Sequence, residues 1–143
     1  MKRIIIDYIG GNEMTVKSLG TVFIRVSRLE PALAFYSEAL GLKLRDVERW
    51  EDGRGANYLI SEQSPTPLLT LIEQPDMEPL RHPAFNLYCE GALAFYDRLT
   101  AQGVKVGRVN RWSSEWNDHI DFDVYDPDGN PINLIEWRRR DDL

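Results

Sequence analysis

The chain has 143 residues, a formal net charge of −6 at pH 7, a hydrophobic fraction of 43% and a single cysteine. A chain of about 150 residues buries roughly two thirds of its unfolded surface, so one domain with a substantial core is expected. The lone Cys89 excludes an intramolecular disulfide, no apolar run approaches the ~20 residues of a bilayer-spanning helix, and the acidic balance repels a phosphate backbone. Membranes and nucleic acids are therefore not expected partners. Charge interrupts Met1 to Asp7 too early for a signal-peptide core, which makes the cytoplasm the expected compartment.

Residues 1–18 read as an N-terminal extension, with Ile4-Ile5-Ile6 as an edge strand or dimer contact and Gly10-Gly11-Asn12 as a turn. From Thr21 the pattern has period two. Val22, Ile24 and Val26 fall on one face of a strand, with Thr21, Phe23 and Arg25 on the other. Ser27 precedes Glu30 at capping-box spacing, Pro31 sits near the helix start, and Ala32, Leu33, Phe35, Tyr36, Ala39 and Leu40 form an apolar stripe that Gly41 stops. Strands are predicted at 42–50, 56–60 and 68–74, and the two prolines of 75–80 mark a linker. A second series follows: strand 82–88, helix 91–102, strands 104–109 and 120–125, a tight Asp126-Pro127-Asp128-Gly129 turn, and a last strand from Pro131 to Trp137. Arg138 to Arg140, followed by Asp141 and Asp142, read as the start of a solvated polar tail, 138–143.

The two series are copies of one unit. Ala-Leu-Ala-Phe-Tyr occurs at Ala32 to Tyr36 and again at Ala92 to Tyr96, and Leu-Ile-Glu closes both units, at Leu71 to Glu73 and Leu134 to Glu136. A period near 60 is longer than the ~20 to 50 residues of solenoid and propeller repeats, and two copies are too few for an array. The expected class is α+β: two tandem βαβββ modules, about 19–75 and 81–137, in a single domain 19–137 whose mixed sheets curl into a cup with the helices outside. Each helix must bury its stripe on one sheet face. The other face is free for a ligand, and alternation places Thr21, Phe23, Arg25, Thr70, Ile72, His82, Ala84, Asn86, Asn133, Ile135 and Trp137 there.

The strand followed by Ser27 to Tyr36, then Leu40-Gly41, and finally Asp126 to Asn130 before the last strand, resembles the vicinal oxygen chelate superfamily. That group includes glyoxalase I, extradiol dioxygenases, fosfomycin-resistance transferases and bleomycin-resistance proteins. The resemblance spans about 19–137. It implies a homodimer and, in many members, a divalent metal held by His, Gln or Glu from the first and last strand of each module. At the matching positions this sequence has Thr21, Thr70, His82 and Asn133. Hydroxyl and carboxamide oxygens are poor donors for a borderline divalent cation that lacks an anionic partner. No tightly held metal is expected, and if one is held His82 is the ligand.

Individual residues keep more than one reading. His82 contacts a ligand or satisfies a backbone group in solvent. His119 shares a strand face with Asp121 and Asp123, opposite Ile120, Phe122 and Val124; with Asp121 and Glu136 it forms a carboxylate–imidazole cluster, or these are polar residues at an exposed strand end. Arg25 holds a ligand carboxylate or phosphate, or pairs with Glu48 or Glu136. Trp50, Trp112, Trp116 and Trp137 wall a flat organic ligand, or plug the ends of the cup or a dimer interface. Two functions follow from the resemblance. One is a small-molecule binder with a degenerate metal site, contacting its ligand through Thr21, Phe23, Arg25, Thr70, His82, Asn86, Trp112, Trp116, Asn133 and Trp137. The other is a metal-dependent lyase, isomerase or dioxygenase of the glyoxalase type.

Overall fold

The computed structural model describes residues 15–139, so the Ile4-Ile5-Ile6 segment and the tail beyond 139 lie outside the described residues. The first module runs β1 (Thr21–Val26), α1 (Leu29–Ala34) continued by a π-helical turn (Phe35–Ala39), β2 (Lys43–Trp50), β3 (Gly53–Leu59) and β4 (Leu68–Glu73). The second runs β5 (Asn86–Tyr88), α2 (Ala92–Ala101), β6 (Asn110–Ser113), β7 (Asn117–Tyr125) and β8 (Pro131–Arg139). Each builds a four-stranded mixed sheet, ordered β1-β4-β3-β2 and β5-β8-β7-β6. The first strand of each module pairs in parallel with its last. This is the twofold βαβββ architecture that the repeat predicts.

Alternation explains which face each helix covers. Ile24, Val26, Ala56, Tyr58, Leu69 and Leu71 from the first sheet are buried with Leu29, Ala32, Phe35, Tyr36 and Ala39. Phe122, Val124, Ile132 and Leu134 from the second are buried with Ala92 and Leu99. All belong to one continuous apolar cluster, and each large side chain so buried contributes about 1.5 to 3 kcal/mol. The repeated tyrosines point the same way: Tyr36 is fully buried, and Tyr96 meets Phe122 edge-on at 5.1 Å.

The turn between β7 and β8 fastens the second module to the first. Asp126 closes it by accepting from the backbone N–H groups of Asp128 and Asn130, each at 2.9 Å, while Gly129 supplies the left-handed residue at φ 85°. A tight hairpin turn is what this segment forms, as expected. Tyr36 then donates to Asp126 Oδ2 at 2.9 Å, Asn130 Nδ2 donates to the Arg25 carbonyl at 2.9 Å, and the Ser27 N–H donates to Asp128 Oδ2 at 2.8 Å. Asp126 and Asn130 are buried with these donors and acceptors satisfied, as buried polar groups must be.

Three local expectations are corrected. Ser27 does not cap α1, because its hydroxyl bonds Asp128; the helix N-terminus is capped from another strand, by Glu73, and Glu30 pairs with Arg54. Residues 104–109 form no strand, only a bridge between Val106 and Val124, and the partner of β7 is the later segment Asn110–Ser113. The strand expected from His82 begins at Asn86, because Pro83 denies the chain a ladder donor just ahead of it.

Candidate functional site

Each sheet has a face that no helix covers, and the candidate residues lie there except His82 and Trp116, which fall in connecting segments. On the first module a polar line crosses all four strands. Thr21 Oγ1 and Thr70 Oγ1 share a hydrogen bond of 2.6 Å, Thr70 donates to Asn57 Oδ1 at 2.8 Å, and Asn57 Nδ2 donates to Asp46 Oδ1 at 3.0 Å. That amide, and then Arg45, hold the Asp46 carboxyl below the usual aspartate range. Phe23 projects beside the line and is 55% exposed. Arg25 is also exposed, with its Nε donating to Gln74 Oε1 at 3.1 Å rather than to either acid considered for it. At the far edge Trp50 donates through Nε1 to Glu48 and lies over Gly55, where a side chain would collide with the indole ring.

On the second module the open face is aromatic at one end and polar at the other. Register aligns Trp112, His119 and Trp137 in one row across β6, β7 and β8. Trp112 and His119 stack at 3.6 Å with planes 3° apart, and Tyr88 packs on Trp137 at 4.7 Å. Both ring nitrogens of His119 are buried without a hydrogen-bond partner, so this ring presents a flat face only. Four residues along β8 from Trp137, Asn133 Nδ2 donates to Asp121 Oδ2 and to Asp123 Oδ1, each at 3.0 Å. Between the two ends Ile135 forms a buried floor. Beside Asn133 opens a cavity of about 280 Å³ lined by Pro83, Ala84, Phe85, Asn86 and Asn133. Trp116 is at the tip of the β6–β7 turn, 72% exposed.

The cluster of His119, Asp121 and Glu136 does not form. Glu136 pairs with Ile120, which puts it on the helix-facing side, where its carboxylate accepts from the N–H groups of Gly91 and Ala92. His82 is exposed in the loop four residues ahead of β5. Strand register identifies a different residue as the counterpart of Thr21. Phe23 pairs with Thr70 and Asn86 pairs with Asn133, so the residue two before Asn86, Ala84, occupies the place that Thr21 has in the first module. Tyr88, Asn57, Asp121 and Asp123 join the open faces without having been singled out as ligand contacts. Tyr88 was accessible to sequence reasoning, two residues beyond Asn86 on the same alternation.

The four positions at which a divalent cation would be held do not fit one. Thr21 and Thr70 are bonded to each other, Ala84 has no donor atom, and Asn133 directs its NH2 at two carboxylates. Among the described residues no three His, Cys, Asp or Glu side chains come together in a group that could hold a metal.

The family model for the glyoxalase/bleomycin resistance protein/dioxygenase superfamily matches residues 18–134. The chain belongs to this superfamily. A crystal structure of TnmS3, an antibiotic-binding protein from Streptomyces sp. CB03234, is similar with a TM-score of 0.68 and 27% identity, over 87% of this chain and 98% of that one. A glyoxalase/bleomycin resistance protein from the same Streptomyces aligns with a TM-score of 0.61 and 29% identity, over 82% and 98% of the two chains. Lactoylglutathione lyase from Agrobacterium tumefaciens, at 17% identity and a TM-score of 0.63 over 86% and 96%, shares the fold. No functionally curated protein matches the sequence.

Proposed function

We propose that this protein binds a planar small organic molecule on the open sheet faces, without a metal, and that a second copy of the chain completes the cup around it. The observation that carries this reading is the uncovered aromatic face of the second module, where Tyr88, Trp112 and Trp137 are 51%, 50% and 39% exposed although each offers a large apolar ring. Rings left in water at this density gain about 0.5 to 1.5 kcal/mol each from stacking on a flat partner, beyond the area they bury. Phe23 and Trp50 offer a second aromatic surface on the first module, with Thr21, Thr70 and Asn57 as polar neighbours.

The similarity to an antibiotic-binding protein at 27% identity supports a binding role. The donor chemistry argues against the metal-dependent lyase, isomerase or dioxygenase reading, which needs imidazole or carboxylate at positions held here by Thr21, Thr70, Ala84 and Asn133. Titration of the intrinsic tryptophan fluorescence with planar aromatic compounds tests the proposal. Saturable quenching that weakens roughly tenfold in Trp112→Ala or Trp137→Ala is expected. Quenching that is absent, or indifferent to both substitutions, would reject it. Sedimentation of the free protein at the mass of one chain would reject the shared cup.

A further inference from the structure

The open face of the second module is chemically polarised. At its aromatic end Trp112 Nε1 donates to Asp121 Oδ1 at 3.2 Å, and both His119 nitrogens are buried. That end recognises flat surfaces. About 13 Å from Trp137 along β8, at the ~3.3 Å rise of a strand residue, the open face carries Asn133 beside Asp121 and Asp123, with Lys105 Nζ over the Tyr125 ring further along β7. Asn133 gives its NH2 to Asp121 and Asp123 together, and only an NH2 can donate to two carboxylates, which fixes the orientation of the carboxamide. With the NH2 turned toward β7, Oδ1 faces β5 and the cavity lined by Ala84 and Asn86. The wall therefore offers an acceptor oxygen, backed by two carboxylates. Arg111 pairs with Ile120 and so lies on the other face, and Arg139, beyond Trp137, has an interaction of its own.

Resting on the binding role proposed above, we infer that the ligand is amphipathic: a planar aromatic frame seated on Tyr88, Trp137, His119 and Trp112, carrying a protonated amine or amidine that donates to Asn133 Oδ1 in the field of the Asp121 and Asp123 carboxylates behind it. A cationic donor matches this end because charge-assisted bonds to acceptors are roughly twice as strong as neutral ones. An anionic group there would meet the repulsion of two carboxylates, with the neutral Asn86 carboxamide as a donor.

Three tricyclic probes of one shape separate the possibilities: proflavine, a planar cation; acridine, neutral at pH 7.5; and acridine-9-carboxylate, an anion. Tryptophan quenching is expected to show proflavine bound at least roughly tenfold tighter than acridine, with the carboxylate weakest. The preference for the cation should shrink at high salt, and in Asp123→Asn, which leaves the Asp121 acceptor of Trp112 in place, it should fall by about threefold while acridine affinity stays the same. The salt series on the native chain gives an answer even if the variant fails to fold. Cation and anion binding alike, or a preference untouched by salt, would overturn the amphipathic ligand and leave the aromatic binder standing. Failure of all three probes to bind would overturn both.

Discussion

Glu73 and Glu136 hold equivalent places at the ends of β4 and β8, and each reaches across to the N-terminus of its own module's helix. Glu73 Oε2 accepts from the Leu29 N–H at 2.7 Å, and the two oxygens of Glu136 accept from Gly91 and Ala92 at 3.0 and 3.3 Å. The repeated Leu-Ile-Glu is thus a buried–open–cap sequence, in which Leu packs under the helix and Glu satisfies its orphan donors and positive end. Glu73 has a further partner, accepting from Arg54 Nε at 2.8 Å and from Nη2 at 2.9 Å. Removing these bonds in Glu73→Ala should cost about 2 kcal/mol, and Glu136→Ala about 1 kcal/mol, in urea denaturation at neutral pH.

The same residue sets part of the acid limb. Arg54 first, and then the Leu29 N–H, hold the Glu73 carboxyl below its ordinary value of 4.5. A depressed folded value means that its stabilisation is complete above the unfolded value and is lost as pH falls through the folded one. Glu73→Gln should therefore lower stability at pH 7, and the loss should shrink as pH falls through the depressed folded value and the native carboxyl takes up its proton. A loss that stays the same across the acid range would show that the charge is not what matters.

Asp126 has the opposite sign. Burial pushes its carboxyl above the ordinary aspartate value, against the pull of Asn130, Tyr36 and the backbone N–H of Asp128. A raised value gives stability that is complete below the unfolded value and fades as pH rises through the folded one, so it is the ionised form that depends on its donors. Tyr36→Phe removes one of them without altering the apolar packing of the ring. The expected loss is about 1 to 2 kcal/mol where Asp126 is ionised, and it shrinks as pH falls and the carboxyl takes up its proton, because the neutral acid needs the phenol less. Urea melts across the acid-to-neutral range measure the difference directly; a loss that does not depend on pH would contradict this account of the latch between the modules.

Gly55 shows how the first module holds its edge aromatic. A Cβ there would run into the Trp50 ring and the Leu71 carbonyl, and the carbonyl belongs to a ladder that cannot move alone. Gly55→Ala should force the indole off the sheet at a cost of about 1 to 3 kcal/mol. A red-shifted emission and a lower unfolding midpoint are the expected readouts, and unchanged emission would mean that Trp50 does not rest on this glycine.

Much of this arrangement was legible from periodicity. Alternation in Thr21–Val26 and Asn117–Tyr125 separates buried from open faces correctly, since a half-covered strand must alternate, and the duplicated helix motif fixes the modular plan. Several failures share one physical origin: contacts between residues distant in the chain outbid local signals. Ser27 satisfies the local capping pattern but bonds Asp128, 101 residues away, and the cap comes from Glu73. Residues 104–109 have strand-like composition, but the partner edge of β7 is taken by Asn110–Ser113. The Trp112–His119 stack depends on cross-strand register, which the spacing of the two residues in sequence does not reveal.

The threonine pair on the first open face bears on the most general expectation for this chain. A hydroxyl–hydroxyl bond of 2.6 Å between Thr21 and Thr70 uses the donor capacity of one partner on the other, and Asn57 takes the next link. A cation placed there would have to break this chain of bonds and receive only neutral oxygens in return, which does not offset the loss of its hydration shell. Dialysis against EDTA should therefore leave both the unfolding midpoint and the affinity for planar compounds unchanged, and added zinc, nickel or manganese should raise neither. Thr70→Val, which removes the hydroxyl that links Thr21 to Asn57, should weaken ligand binding if the polar line orients the ligand and leave it intact if the line serves the sheet alone. A midpoint that falls with EDTA and returns with a divalent ion would mean that the open faces, brought together in the assembled protein, create a donor set that neither face has by itself.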